Sequence, residues 1–441
     1  MLGSLFGSQK TSLLLGSSLL SVLVLTMAVK AKFLVYFYLL ALGWGPILQG
    51  MMGLATFRID EALIPIMAII YVLLPVLLGK NLLPTVPKPF GYTWGTYLIL
   101  TFLAMLGQSL TLGHKSWIPL VYLARVFYVT MVFYTIYVFI RRKERYARDV
   151  MDLFVIISLG ISLVGILQWF GVAPVRDVIL KYYPRITTFA PHVATSTFGG
   201  NPTILGTFLL ISISYVFAQL VVLHNKGKQW LVLYGSLAIL MFCLFLTVAK
   251  MAILSLPALL SFLGVLAGKK RIGTLFLALF SLAVILDLVN VFTPRVFTRF
   301  SISWDVSVEG RVLVWGNLKE QIFAGAPTLL FGYGFQERTG VITENQYFYE
   351  LYHKGILGLL GYTFFLFGNL WYFLWLFLQA AKESYERAIY LGTCGMLVAI
   401  AMVGFTYTTI QPERLTEWVF VMLAVAYASA ARHNFVHWRS L

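Results

Sequence analysis

Residues Thr203 to Leu223 read TILGTFLLISISYVFAQLVVL, a run of 21 residues with no charge. As an α-helix, rising 1.5 Å per residue, it would be about 30 Å long, which is the thickness of a bilayer's hydrocarbon core. Comparable runs fall near 12–29, 33–51, 61–78, 94–113, 117–140, 151–170, 230–248, 250–267, 272–293, 355–378, 388–409 and 416–432. The pattern predicts an all-α, polytopic integral membrane protein of 12 or 13 transmembrane helices, twelve if the first run is not a full span.

Composition agrees. Of 441 residues, 60% are hydrophobic and 11% charged, against about 45–50% and about 25% in soluble domains. Net charge is +16. In a soluble chain that would suggest nucleic acid, but here Lys and Arg of cytoplasmic loops account for most of it, so the bilayer is the expected partner and no nucleic acid is. The run at 12–29 lacks a basic stretch before it and a small-residue cleavage site after it, so it reads as a retained span. The two cysteines, Cys243 and Cys394, lie inside apolar runs and read as buried thiols.

Basic residues set the orientation. Arg141, Arg142, Lys143, Arg145 and Arg148 follow the fifth span; Lys269, Lys270 and Arg271 follow the ninth; Lys382 and Arg387 precede the twelfth; Arg432 and Arg439 lie in the tail. With alternating spans all fall on one side, which the positive-inside rule makes cytoplasmic, C-terminus included. The chain then divides into N-terminal helices (1–150), central helices (151–293) with a first external loop (171–202), a large extracytoplasmic loop (294–354), and C-terminal helices with the tail (355–441). Function is expected on the two long external loops and the spans beneath them.

Both loops are basic where the rule does not ask for it: Arg176, Lys181 and Arg185 in the first; Arg295, Arg299, Arg311, Lys319, Arg338 and Lys354 in the second. In the second, GRVLVWGNLKEQIF (310–323) carries Val312, Leu313, Trp315, Leu318 and Ile322 at near-helical spacing. It is too short to span and reads as a helix in the membrane interface, with Trp315 at headgroup level. A glycine turn follows at Phe331-Gly332-Tyr333-Gly334, then Thr343-Glu344-Asn345-Gln346 and an amphipathic run into Gly355-Ile356-Leu357-Gly358.

GRVLVW, LLFGYGF and ENQYFYELYHKGILGLLGY, in that order, resemble the characteristic region of the O-antigen ligase and polymerase superfamily of bacterial inner-membrane glycosyltransferases. STFGGNPTILGTFL (196–209) is similar to the family's Asn-Pro segment at the head of a span, and LTVAKMAIL (246–254) to its hairpin, where the family usually has Ser-Arg. The resemblance covers about 152–378. It implies a GT-C-like architecture and a polyprenyl-pyrophosphate-linked glycan donor on the external leaflet. It also implies a glycan or lipid-linked acceptor, no metal and no other cofactor, and in some members a chain-length regulator. Arginine suits the leaving pyrophosphate, because its fork of donors stays charged. Arg311 matches the family arginine; Lys250 keeps the charge without the fork; Arg185, Arg295 and Arg299 are further candidates. Ligases of the family carry a histidine before the Asn-x9-Gly-x-x-Gly spacing. Here Glu344 stands there, so Glu344 is the candidate general base, Asn345, Trp315 and Asn201 support it, and a polymerase fits better than a lipopolysaccharide ligase. His353 does not occupy the family position.

Each residue has a plainer reading. Arg311 anchors a helix to lipid phosphate, Lys250 snorkels, Glu344 caps a helix. Arg125, within the fifth span, either lines a pyrophosphate pocket or pairs with Asp287. Asp60 and Glu61, heading the third span, read as interface charges. His114 and His192 share no metal-ligand spacing. A secondary transporter would have similar spans, but with related halves and polar groups at the midplane.

Overall fold

A computed structural model describes residues 32–51, 59–79, 84–111, 118–143, 145–173, 175, 177, 194–198, 201–223, 228–269, 271, 273–275, 278, 281, 315–334, 345–405, 407 and 414–439. Among them there are helices and turns and no strand. In chain order the helices are α1 (Lys32–Met51), α2 (Ile59–Ala68, widening into a π-turn over Ile69–Leu73 and ending at Leu74–Leu77), α3 (Lys88–Thr111), α4 (Ile118–Arg141) and α5 (Arg145–Trp169). Then come α6 (Pro202–Val222), α7 (Lys228–Leu246), α8 (Lys250–Leu266), α9 (315–322), α10 (Ala326–Phe331), α11 (Gln346–Gln379), α12 (Tyr385–Gly404) and α13 (Arg414–Arg439).

Eight are long and apolar enough to cross a membrane, and three shorter apolar helices lie at Lys32–Trp44, Trp230–Leu246 and Lys250–Leu266. The chain is a polytopic α-helical membrane protein. These eleven correspond to eleven of the expected spans; the runs at 12–29 and 272–293 lie wholly or mostly outside the described residues. One apolar core runs from Leu34 on α1 to Ala430 on α13, so the N-terminal, central and C-terminal helices share a single interior. α6 and α13 are its most enclosed members: Leu205–Ile213 and Trp418–Ala428 have almost no exposed side chain. Cys243 and Cys394 are both free and buried, as expected.

Small polar groups tie the helices where water cannot compete. Asn369 of α11 donates to Thr93 Oγ1 of α3 at 3.0 Å and accepts from Tyr427 of α13 at 2.6 Å. Trp94 of α3 donates to Thr130 of α4 at 2.9 Å. Such bonds hold helices together in an environment with no hydrophobic drive between them.

The helix ends segregate by charge. At one end Arg142 donates to the Tyr71 carbonyl at 3.3 Å, an oxygen whose partner four residues on would be Pro75, which has no N–H, and stacks on the Tyr71 ring. Arg148 lies over Tyr385, and Arg387 over Phe377. The expected loop residues Arg145 and Arg148 lie on α5, where Arg145 pairs with Asp149 one turn on, at 3.3 Å. The opposite end carries the amino termini of α6, α8 and α11 together with Phe405 and Tyr407.

Candidate functional site

At that opposite end α11 is broken. Gly355 has φ 64° and ψ −163°, a conformation open essentially to glycine alone. In a straight helix Glu350 and Gly361 would be about 16 Å apart along the axis. Instead both meet Tyr97: its hydroxyl lies 3.2 Å from Glu350 Oε1, and a Cβ on Gly361 would sit 3.2 Å from its Cα. Tyr347 likewise reaches Tyr362, with ring centroids 5.6 Å apart. The first segment, 346–354, therefore folds back against the start of the long span. Gly358 makes this possible, since a Cβ there would collide with Lys354 and lie 3.2 Å from the Glu350 carbonyl.

The fold-back corrects one expectation. Lys354, expected as an external loop charge, is fully buried, as is Glu350. They pair at 2.6 Å. The other two Nζ donors go to Tyr97 Oη at 2.6 Å and Tyr122 Oη at 2.7 Å, and these hydroxyls are 2.8 Å apart. Gln346 donates to Glu350 at 2.9 Å. All three ammonium donors are thus used, and the carboxylate accepts from three groups, the condition under which a buried pair is tolerated. Sequence reasoning missed this ring; its one trace was Glu and Lys at i,i+4, which face one another on a helix. Tyr97 and Tyr122 left no trace among so many aromatics.

The amino end of the segment is pinned by Asn345, which is buried. Its Oδ1 accepts from the Tyr347 and Phe348 amides, an N-cap, and its Nδ2 donates to the Phe405 carbonyl at 2.7 Å. Asn201 does the same for α6. Its Oδ1 accepts from the Thr203 amide, its Nδ2 lies 3.1 Å from Tyr407 Oη, and Pro202 occupies the first helical position. Two helix amino termini, from stretches far apart in sequence, are thus held by Phe405 and Tyr407, two residues apart.

The stretch 194–198 ties the head of α6 to the ends of α5 and α7. Gln168 at the end of α5 accepts from the Thr195 and Ser196 amides at 3.0 and 2.9 Å, and the Ala194 amide donates to the Leu246 carbonyl at 3.1 Å. Ser196 (φ 48°) and Val248 (φ 53°) are both left-handed. For a β-branched residue that is strained, and it allows the tight α7–α8 hairpin that brings Lys250 to the head of α8. Lys250 is half-buried there.

Above the folded segment lies the outer layer. Helix 315–322 forms as expected, but its apolar side packs on α11. Trp315 stacks on Phe348 at 5.4 Å, and buried Leu318 and Ile322 cluster with Tyr352, whose hydroxyl donates to Gln321 at 3.0 Å. The glycine turn after α10 seats on the break. The Tyr333 amide donates to the Tyr352 carbonyl at 2.6 Å, His353 Nδ1 meets the Gly334 carbonyl at 2.9 Å, and Gln108 of α3 donates to the carbonyls of Phe331 and His353.

Arg125 is on α4, one turn from Tyr122 and exposed. No ion pair or hydrogen bond engages it among the described residues, and its charge acts on the neighbouring Tyr349 phenol. Its proposed alternative partner, Asp287, lies outside the described residues, as do Glu344, Arg311, Arg185, Arg295, Arg299, His114 and His192. Asp60 corrects another expectation. It is buried, 3.7 Å from Arg414, beside Glu417, which accepts from Tyr38 and Tyr128 at 3.1 and 3.2 Å; Glu61 is exposed as expected. Asp60 turns inward because α13 brings a cation to meet it. Among the described residues no three His, Cys, Asp or Glu side chains converge as metal ligands would.

The fold and site define a class: a multi-pass helical membrane protein whose polar chemistry gathers at the end opposite its basic one, around a broken helix. The sequence matches no protein-family model and no curated protein.

Proposed function

We propose that the chain is a membrane glycosyltransferase that joins polyprenyl-pyrophosphate-linked oligosaccharide units, as an O-antigen or exopolysaccharide polymerase does. One observation carries this reading. Of the stretches on which the resemblance rests (196–209, 246–254, 310–315, 329–335 and 344–362), all but 310–315 have most of their residues described, and these meet at one end of the bundle, where Asn201 and Asn345 bond to Tyr407 and Phe405; 310–314 lie outside the described residues. The Asn-x9-Gly-x-x-Gly spacing supports it further, since its Asn is a cap, its first Gly a break and its second Gly a seat for Lys354.

In this reading the basic end faces the cytoplasm, and the broken helix faces outward in a bacterial cytoplasmic membrane. Arg311 clamps the departing pyrophosphate, with Lys250, Arg125, Arg185, Arg295 and Arg299 as further cations. Glu344 accepts the proton of the attacking hydroxyl as the anomeric carbon leaves the pyrophosphate oxygen. Transfer of a finished glycan to a lipid, wall or protein acceptor uses the same chemistry. A different class, a secondary transporter, is favoured by the break itself, because transporters bind substrates at interrupted helices.

The deciding experiment supplies purified protein in nanodiscs with a polyprenyl-pyrophosphate oligosaccharide and reads products on a gel. A ladder of lengthening glycans is the expected result. A single transfer, seen only with an added acceptor, points to the ligase. No product from any lipid-linked donor, alongside substrate uptake in proteoliposomes, overturns the enzyme reading in favour of transport.

A further inference from the structure

The ring around Lys354 joins three helices: the folded segment of α11, α3 through Tyr97, and α4 through Tyr122. The segment's outer side carries the external layer, with Trp315 on Phe348, the Tyr352–Gln321 bond and the glycine turn on His353. Its amino end carries Asn345, next in sequence to Glu344. The break at Gly355 makes the segment a separate lever, since the backbone bonds of a continuous helix no longer fix its angle to the span.

We propose that Lys354 and Glu350, with Tyr97 and Tyr122, are positioning residues that hold segment 346–354 against α3 and α4 and so set where the external layer stands over the bundle. That this placement serves glycosyl transfer rests on the reading above; the mechanical claim does not. Lys354 is suited to the task because three acceptors surround its three donors, so the ring closes in one position of the segment. Loss of Lys354 leaves Glu350 as an uncompensated buried charge, which the segment relieves by swinging outward. The bundle beneath, with its core from Leu34 to Ala430, has no need to open.

The test places a reporter cysteine at Leu351, which packs under helix 315–322, and keeps buried Cys243 and Cys394 as internal controls. Labelling by a soluble maleimide is followed peptide by peptide in the full-length protein. Lys354→Met is expected to raise labelling at position 351 at least tenfold while Cys243 and Cys394 stay unlabelled. The exchanged pair Glu350→Lys with Lys354→Glu is expected to return it towards the starting rate, since the tyrosine hydroxyls donate as readily as they accept. If Lys354→Met exposes all three cysteines together, Tyr122→Phe decides, with a selective severalfold rise expected. Unchanged labelling at 351 in the variants, or parallel labelling of all three cysteines in Tyr122→Phe, overturns the proposal. Turnover is measured on the same samples. A fall in kcat that the exchanged pair restores ties the lever to transfer, whereas selective labelling without activity in any sample leaves the lever standing and removes the enzyme reading.

Discussion

Gly332 and Gly355 lie backbone against backbone. A Cβ on Gly332 would be 2.5 Å from the Gly355 nitrogen, and one on Gly355 2.5 Å from the Gly332 nitrogen. Both also hold positive φ, 82° and 64°, with ψ near 180°. Neither residue has room for a side chain, and neither conformation suits one, so the glycine turn and the helix break form one joint.

Alanine at either position is therefore expected to cost about 1–3 kcal/mol from conformation alone, and more from the clash with backbone that cannot move aside. Gly95, inside α3 with nothing within 4 Å of a built Cβ, is the control: Gly95→Ala should be neutral to slightly stabilising. Thermal unfolding in detergent compares them. A Gly355→Ala protein as stable as Gly95→Ala would contradict the joint.

Asn345 separates a cap from a tether. Asn345→Asp keeps the oxygen that accepts from Tyr347 and Phe348 but loses the amide that donates to Phe405. It should keep the cap, lose some stability because a buried carboxylate oxygen now faces the Phe405 carbonyl, and lose most transfer activity. Asn345→Ala loses both, at about 1–2 kcal/mol for the cap. Equal activity in Asn345→Asp and the parent would show the Phe405 tether to be dispensable.

Arg125 has no ion pair or hydrogen bond among the described residues, so Arg125→Ala should leave the unfolding temperature nearly unchanged. If Arg125 attracts the donor's phosphates, KM for the lipid-linked donor should rise about tenfold or more with a smaller change in kcat, and Arg125→Lys should recover part of it. Kinetics at varied donor concentration read this directly. A lower unfolding temperature with unchanged KM would assign Arg125 to structure.

Arg311→Ala and Glu344→Gln test the proposed chemistry. Each is expected to reduce transfer at least a hundredfold in protein that still inserts and elutes normally, and Glu344→His to retain some activity. Full turnover in Glu344→Gln would leave that carboxylate no more than a helix-end charge.

The architecture was largely legible because a bilayer imposes it locally. An uncharged run such as 203–223 must satisfy its backbone within itself, so it becomes a helix whatever its neighbours do. The segregation of Arg141, Arg142 and Arg387 to one end follows from the same local rule. Asn201-Pro202 was readable as the head of a span through the resemblance alone; that Asn201 caps α6 and Pro202 takes its first position is what the structure adds.

What tertiary structure alone decided is how the polar residues are used. Lys354 reads as a loop cation at the edge of a span, and only the reversal at Gly355 carries it inward to Tyr97 and Tyr122, which lie 257 and 232 residues away in the chain. Asp60 reads as an interface charge until α13 delivers Arg414. Trp315 reads as a residue at headgroup level, and its stacking on Phe348 is visible only in the fold. A span is specified by the solvent around it, and the sequence displays that requirement residue by residue. The environment of a buried charge is supplied by other helices, and it exists only once they have packed.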